Sequence, residues 1–246
     1  MKVIFHEDYK EVYDHDPAAA GGRMECVVEE LKGCYEFVEP QPATEEDILL
    51  VHDARHLESV KGKPLIYRTA LLAAGGAIAA AELAAAGEMA FALIRPPGHH
   101  ASRGSCWGFC WFNNIAIGVE KLRRQGKAQK VLIVDFDLHF GDGTSNIFSG
   151  VHDVTYYHLN GLDGLKNCLS QNPEIDLLAV SAGFDRHLMD WGMELSTEDY
   201  FTIGEMLAHH ARRYCRGQLF AVLEGGYNHQ VLGKNVKSFL EGLESR

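Results

Sequence analysis

The sequence predicts an α/β fold, a mainly parallel β-sheet flanked by helices. Three observations carry the prediction. Short apolar runs recur at the length of fully buried strands, helical patterns separate them, and the chain passes straight from several runs into polar clusters.

In chain order, Val3, Ile4 and Phe5 form a short N-terminal strand candidate. Residues 68–86 follow as an Ala- and Gly-rich helix. Its small side chains and Glu82 argue against a membrane span. Residues 89–94 and 131–134 are wholly apolar strand candidates, with a helix over 113–125 between them. Val154 to Tyr157 suggest a further strand, and 177–180 another buried one. The helix over 197–216 opens at Ser196, where Glu198 and Asp199 suit the positive end of the helix dipole. Residues 219–223 form the last strand and 230–243 the last helix. No repeat, charge block or Pro/Ser-rich linker divides the chain, so residues 1–246 read as one domain.

Composition narrows the function. With 246 residues, 46% hydrophobic and 23% charged, the chain is an ordinary globular one rather than disordered. Its 34 acidic against 23 basic residues leave a net charge of −11, which repels a phosphate backbone and argues against nucleic acid. A basic peptide or an amine remains a fitting partner. The N-terminus meets Glu7 without an apolar signal core, and six scattered cysteines read as reduced thiols. Both lead us to expect a cytoplasmic protein, free of membrane.

The chemistry gathers where strands end. The clusters are Arg95-Pro96-Pro97-Gly98-His99-His100, Asp135 to Gly143, Ser181 to Asp185, and Glu224-Gly225-Gly226-Tyr227. In an open parallel sheet the carboxyl ends of strands share the edge at which ligands bind, so these four converge. Residues two apart on an extended chain face the same way. Asp135, Asp137 and His139 therefore share one side, and Asp185 from a neighbouring strand completes a three-ligand set of the kind catalytic zinc uses. The plainer alternative is that these acids cap a helix or pair with Arg95 and Arg186. His99 and His100, on a rigid turn, suit a base and a second charged partner. Tyr227 offers a phenol to a developing oxyanion. His209 and His210 lie within a helix pattern and read as structural. Cys106 and Cys110, in a stretch expected to open a helix, read as buried thiols rather than ligands. Gly141 to Thr144 lacks the lysine of a phosphate loop.

Taken together, these stretches resemble the histone deacetylases and acetylpolyamine amidohydrolases of the arginase-deacetylase fold. The matching segments are 95–101, 108–114, 135–139, 141–144, 181–185 and 223–228, in family order. They look closest to the class II-like branch. The resemblance implies a three-layer fold with zinc held by Asp137, His139 and Asp185. It makes His100, oriented by Asp142, the general base and later the acid. His99, paired with Asp135, would tune the site electrostatically, and Tyr227 would bind the substrate carbonyl. Gly108, Phe109 and Gly226 would contact substrate. The implied reaction is hydrolysis of an acyl-amide, on an acetyl-lysine peptide or an acetylated small amine, releasing acetate.

The departures are specific. Phe140 stands where many members carry a histidine. The resemblance also implies a structural potassium ion near Asp135, Asp137 and His139, but Tyr156 stands in place of a small hydroxyl residue that helps bind it in the family. The short 161–175 connection replaces a long insertion, and Lys61 and Lys63 lie where a substrate-anchoring aspartate is expected. We therefore expect a shallow groove with Trp107 and Phe109 on one side, little opposite, and low selectivity, unless a second subunit in a homo-oligomer closes it. Two other readings are an arginase-like hydrolase with two metals, and a non-catalytic acyl-amine-binding or assembly protein. The retained His99, His100 and Tyr227 disfavour the latter.

Overall fold

A computed structural model describes residues 1–245. Its sheet contains strands β1 (Lys2–Ile4), β2 (Glu36–Val38), β3 (Ala90–Ala92), β4 (Val131–Asp135), β5 (Val154–His158), β6 (Leu177–Ala182) and β7 (Leu219–Leu223). All neighbours pair in parallel, in the order β2-β1-β3-β7-β6-β4-β5. Each central strand is buried along its whole length, which is why the runs are continuously apolar rather than alternating.

Helices α1 (Arg23–Leu31), α2 (Glu45–Ile48), α3 (Ala54–Lys61), α4 (Pro64–Ala85), α5 (Asn114–Arg124), α6 (Asp142–Ile147), α7 (Gly161–Gln171), α8 (Thr197–Tyr214) and α9 (His229–Glu244) complete the fold. Two groups of them cover the sheet. Phe220 of β7 abuts Gly118 of α5, while Phe91, level with Ala221 of the same strand, packs edge-on against Phe239 of α9. Successive residues on a strand face opposite ways, so α5 and α9 lie on opposite faces. α4 packs with α5 and α8 with α9, and three layers result. On the α9 side, Phe136, Phe184 and Phe239 pack edge-on to one another, with Tyr200 tilted against Phe136 and Phe184, in an aromatic cluster under the ends of β4 and β6.

Several expectations shift. α4 begins at Pro64, before the Ala-rich run, because proline's fixed φ suits a first helical turn. The helix is long and apolar enough to cross a membrane, yet most of that stretch is buried against the sheet and α5. The 161–175 segment is not a bare connection: it contains α7, whose Leu165 and Leu169 turn inward. Cys106 and Cys110 lie in irregular chain before any helix, and α5 starts only after Asn113, whose side chain caps Ala116 N.

Candidate active site

The four polar clusters follow β3, β7, β6 and β4, which lie side by side at the centre of the sheet. The topology thus brings together segments far apart in sequence. Glu224, just past β7, shows the effect. Its Oε2 accepts hydrogen bonds from Gly98 N (2.7 Å) and His99 N (3.2 Å), and its Oε1 from Ser181 Oγ (3.1 Å). Burial pushes its carboxyl up to about 7.

Asp137, His139 and Asp185 each place one ligand-type atom within 4.8 Å of the others. Asp137 Oδ1 accepts from His139 N (3.0 Å) and its Oδ2 from Gly225 N (2.8 Å). Asp185 Oδ1 accepts from Leu138 N (3.0 Å). Its Oδ2 is buried and accepts no hydrogen bond, although His139 Nδ1 lies 3.2 Å away. A buried oxygen left without a donor is costly, and two carboxylates and an imidazole converging on it are the donor set of a divalent cation. The residues fit such a metal. The electrostatics agree: burial and the nearby Asp137 push Asp185 up to about 6, while contacts with Asp137 and Asp185 raise His139 to about 10. The backbone permits this crowding only with glycine, since a Cβ at Gly183 or Gly225 would fall 2.1 or 2.5 Å from Asp137 Oδ2.

The adjacent histidines are driven in opposite directions. The His99 ring lies 4.1 Å from that of His100, centroid to centroid. Its Nδ1 is 3.0 Å from Asp135 Oδ2 and its Nε2 3.7 Å from Asp137 Oδ1. Burial opposes its charge, but the Asp137 and Asp135 carboxylates outweigh burial and raise it well above the usual imidazole value. His100 Nδ1 lies 2.6 Å from Asp142 Oδ1. There, burial and the charge on His99 prevail over Asp142, and His100 is held below the usual value. Pairs of titrating groups pushed apart in this way are what acid–base chemistry uses.

Aromatic side chains enclose the space above. Trp107 lies over His100 at 3.9 Å and donates from Nε1 to Asp142 Oδ2 (2.9 Å). Phe109 takes a left-handed conformation (φ 65°), a strained geometry for a bulky residue that turns its ring edge-on to Tyr227. Trp191 stacks on the other side of the site, 4.1 Å from the Tyr227 ring. Burial, with the charges of Asp137 and Asp185, keeps the Tyr227 hydroxyl protonated far above its usual value. A cavity of about 130 Å³ lies among His100, Trp107, Phe109, His139, Trp191 and Tyr227.

This arrangement corrects parts of the sequence reading. Trp191 supplies the wall expected to be missing opposite Trp107 and Phe109. Gly225 and Gly108 line the cavity, whereas Gly226 turns its carbonyl to Arg23 Nε (2.8 Å). Arg95 and Arg186 do not pair with the strand-end acids: Arg95 donates to the carbonyls of Glu11 and Ala20, Arg186 to those of Phe136 and Asp137. A second cluster, His99, Cys110 and Glu224, also has metal-ligand chemistry. Its atoms are already engaged with Asp135, with His100 N and with two backbone amides, which does not fit the second metal of an arginase-like site. Sequence reasoning named Glu224 in its cluster without a role and missed Asp190 and Trp191. Asp190 Oδ2 accepts from Tyr227 N (2.8 Å) and Asn228 N (2.7 Å) and so sets the tyrosine's turn.

Known proteins share this organisation. The family model for the histone deacetylase domain matches residues 19–163 and 165–243. A protein of Methanothermobacter thermautotrophicus named "Probable deacetylase" is 31% identical, over 98% of this chain and 90% of its own. The "Histone deacetylase-like amidohydrolase" of Pseudomonas aeruginosa is 30% identical, over 83% of this chain and 70% of its own. "Polyamine deacetylase HDAC10" of Danio rerio is 28% identical, over 79% of this chain and 38% of its own. The crystal structure of the HDA15 HD domain superposes with a TM-score of 0.87, covering 97% of this chain and 87% of that one at 23% identity, which shows a common fold. Since the family match runs through nearly the whole chain and takes in all four strand ends, the chain belongs to the histone deacetylase family.

Proposed function

We propose that this family member is a zinc-dependent amidohydrolase that removes an acetyl group from an amine, either the side chain of acetyl-lysine or an acetylated small amine. One observation carries the reading: a three-donor metal site lies beside two adjacent histidines, each with its Nδ1 on a carboxylate of its own, Asp135 for His99 and Asp142 for His100. A binding protein needs no such pair, whereas amide hydrolysis needs both a base and a proton for the departing amine.

Zinc held by Asp137, His139 and Asp185 would supply the Lewis acidity that polarises the amide carbonyl and acidifies a water. His100, neutral near pH 7, takes the proton from the attacking water. It then returns a proton to the amine nitrogen as the C–N bond breaks, and Asp142 holds the ring in place throughout. His99 stays charged against Asp135 and stabilises the negative charge that develops beside it. Tyr227 donates its hydroxyl proton in a hydrogen bond to the substrate oxygen as that oxygen gains charge. Trp107, Phe109 and Trp191 bind the apolar stem of the acyl-amine and exclude water, and the Gly108 carbonyl accepts from its amide. The acidic surface favours a cationic amine or basic peptide as substrate.

The test pairs zinc content with acetate release from a panel of acetyl-lysine peptides and acetylpolyamines. We expect about one zinc per chain, as a single three-ligand site requires. We also expect acetate release that a chelator abolishes and added zinc restores. A zinc-loaded protein that releases no acetate from any member of the panel would refute the proposal.

A further inference from the structure

The end of β4 is held by a cation built into the chain. Arg186, next to Asp185, is only 7% exposed. Its Nε donates to the carbonyls of Asp137 (3.0 Å) and Phe136 (3.2 Å), and its Nη2 to that of Leu159 (3.2 Å). Nη2 also lies 3.2 Å from His158 Nε2, and Nη1 pairs with Glu194. Phe136 and Asp137 follow β4, Leu159 follows β5, and Arg186 itself lies beyond β6. One guanidinium therefore ties three strand ends together. Beside it, the Tyr156 hydroxyl donates to Asp135 Oδ2 (2.9 Å) and accepts from Gly141 N (2.8 Å).

Carbonyl oxygens and a buried carboxylate gathered in this way are what a monovalent cation is coordinated by, and the family resemblance implies potassium near Asp135, Asp137 and His139. The residues do not fit it. Asp135 already accepts from Asp137 N, Tyr156 and His99, and the Asp137 carbonyl accepts from Arg186. We propose that Arg186 and Tyr156 replace a structural monovalent cation, and that they position the strand end carrying Asp137 and His139 without potassium or sodium. A bound ion stabilises only as far as its concentration allows, whereas a covalently attached guanidinium with several fixed donors is always in place.

The test uses the full chain in KCl, NaCl and choline chloride at equal ionic strength. We expect the thermal midpoint and the zinc affinity to be the same in all three salts. A midpoint or affinity that rises specifically with potassium overturns the proposal. Arg186→Met, which withdraws the guanidinium from the Phe136 and Leu159 carbonyls and leaves only His158 Nε2 (2.9 Å) on that of Asp137, should lose about 10- to 100-fold in zinc affinity in choline chloride, as for a lost partner of a ligand segment, and KCl should recover part of it. An unchanged affinity, or a loss that potassium does not recover, counts against it. If Arg186→Met does not fold, the wild-type comparison decides alone. The zinc readout rests on the proposed metal site but the thermal midpoint does not, so failure of that site and failure of the built-in cation are distinguishable.

Discussion

His99 and His100 are neighbours in sequence, yet their environments push them in opposite directions, His99 toward the charged imidazolium and His100 toward the neutral ring. The cause lies in their carboxylate partners. His99 is fully enclosed between Asp135 and Asp137, whereas His100 has one half-exposed partner and feels the charge on His99. This has a consequence for pH. A base held below the usual imidazole value of about 6.5 stays neutral to lower pH, so the acid limb of turnover should lie below that value. Asp142 raises His100, so Asp142→Asn should move the limb lower still; a pH–rate profile shifting upward would contradict the assignment. His100→Ala should lower turnover by roughly a hundred- to ten-thousand-fold with zinc retained. Tyr227→Phe should cost about 3 kcal/mol of transition-state stabilisation, as for one lost oxyanion donor. Asp185→Ala leaves two metal donors and should sharply lower zinc occupancy. Elemental analysis alongside turnover separates the three variants, and full zinc in Asp185→Ala would refute the metal site.

At the scale of elements, contacts between segments matter more than any one helix or strand. Glu224 links the end of β7 to the His99 turn and to β6. Its carboxyl is raised in the fold to about 7, above its ordinary value, so folding favours the neutral form. That contribution is complete below the unfolded value of about 4.5 and is lost as pH rises through 7. Urea unfolding of Glu224→Gln should therefore depend less on pH between 5 and 8 than unfolding of the wild type; equal slopes would show that Glu224 does not titrate in this range. α8 and α9 meet through small residues. A Cβ on Gly242 would lie 2.1 Å from Phe201 O, and one on Gly204 2.3 Å from Phe239 O. Gly242→Ala should lower the unfolding free energy by about 1–3 kcal/mol, the usual cost of overpacking, and its urea midpoint measures this directly.

For the whole molecule, the distribution of exposed apolar side chains is informative. Trp107, Phe140, Leu188, Met189, Trp191 and Met193 are all exposed on segments that follow the central strands. With Trp191 facing Phe109 across Tyr227, the site has two apolar walls rather than the single one expected from the short 161–175 segment. Acyl length should therefore matter: acetyl should be preferred over longer acyl groups in kcat/KM, and Trp191→Ala should narrow that preference by roughly tenfold or more. A wild-type protein indifferent to acyl length would show that these walls do not bound the substrate.

The sequence alone determined the layered α/β plan and the strand ends at which chemistry gathers. Buried parallel strands must be continuously apolar, and the ligand edge of such a sheet lies at their carboxyl ends. The residue types at those ends also pointed to candidate metal donors, a candidate base and a phenol. β2 was not legible: it is a three-residue edge strand, half exposed and without an apolar run. α1, α2, α3 and α7 were not read either, and capping does not account for it: α1 and α7 lack a side-chain cap, but α2 and α3 begin at Thr44 and Asp53, which cap them. Other features belong to the tertiary structure alone. The opposite pushes on His99 and His100, the donor-free oxygen of Asp185, the Trp191 wall and the Arg186 tie all arise between segments far apart in the chain. Burial, charge and contact across a sheet are set by strand order, and local sequence pattern carries no record of which strands become neighbours.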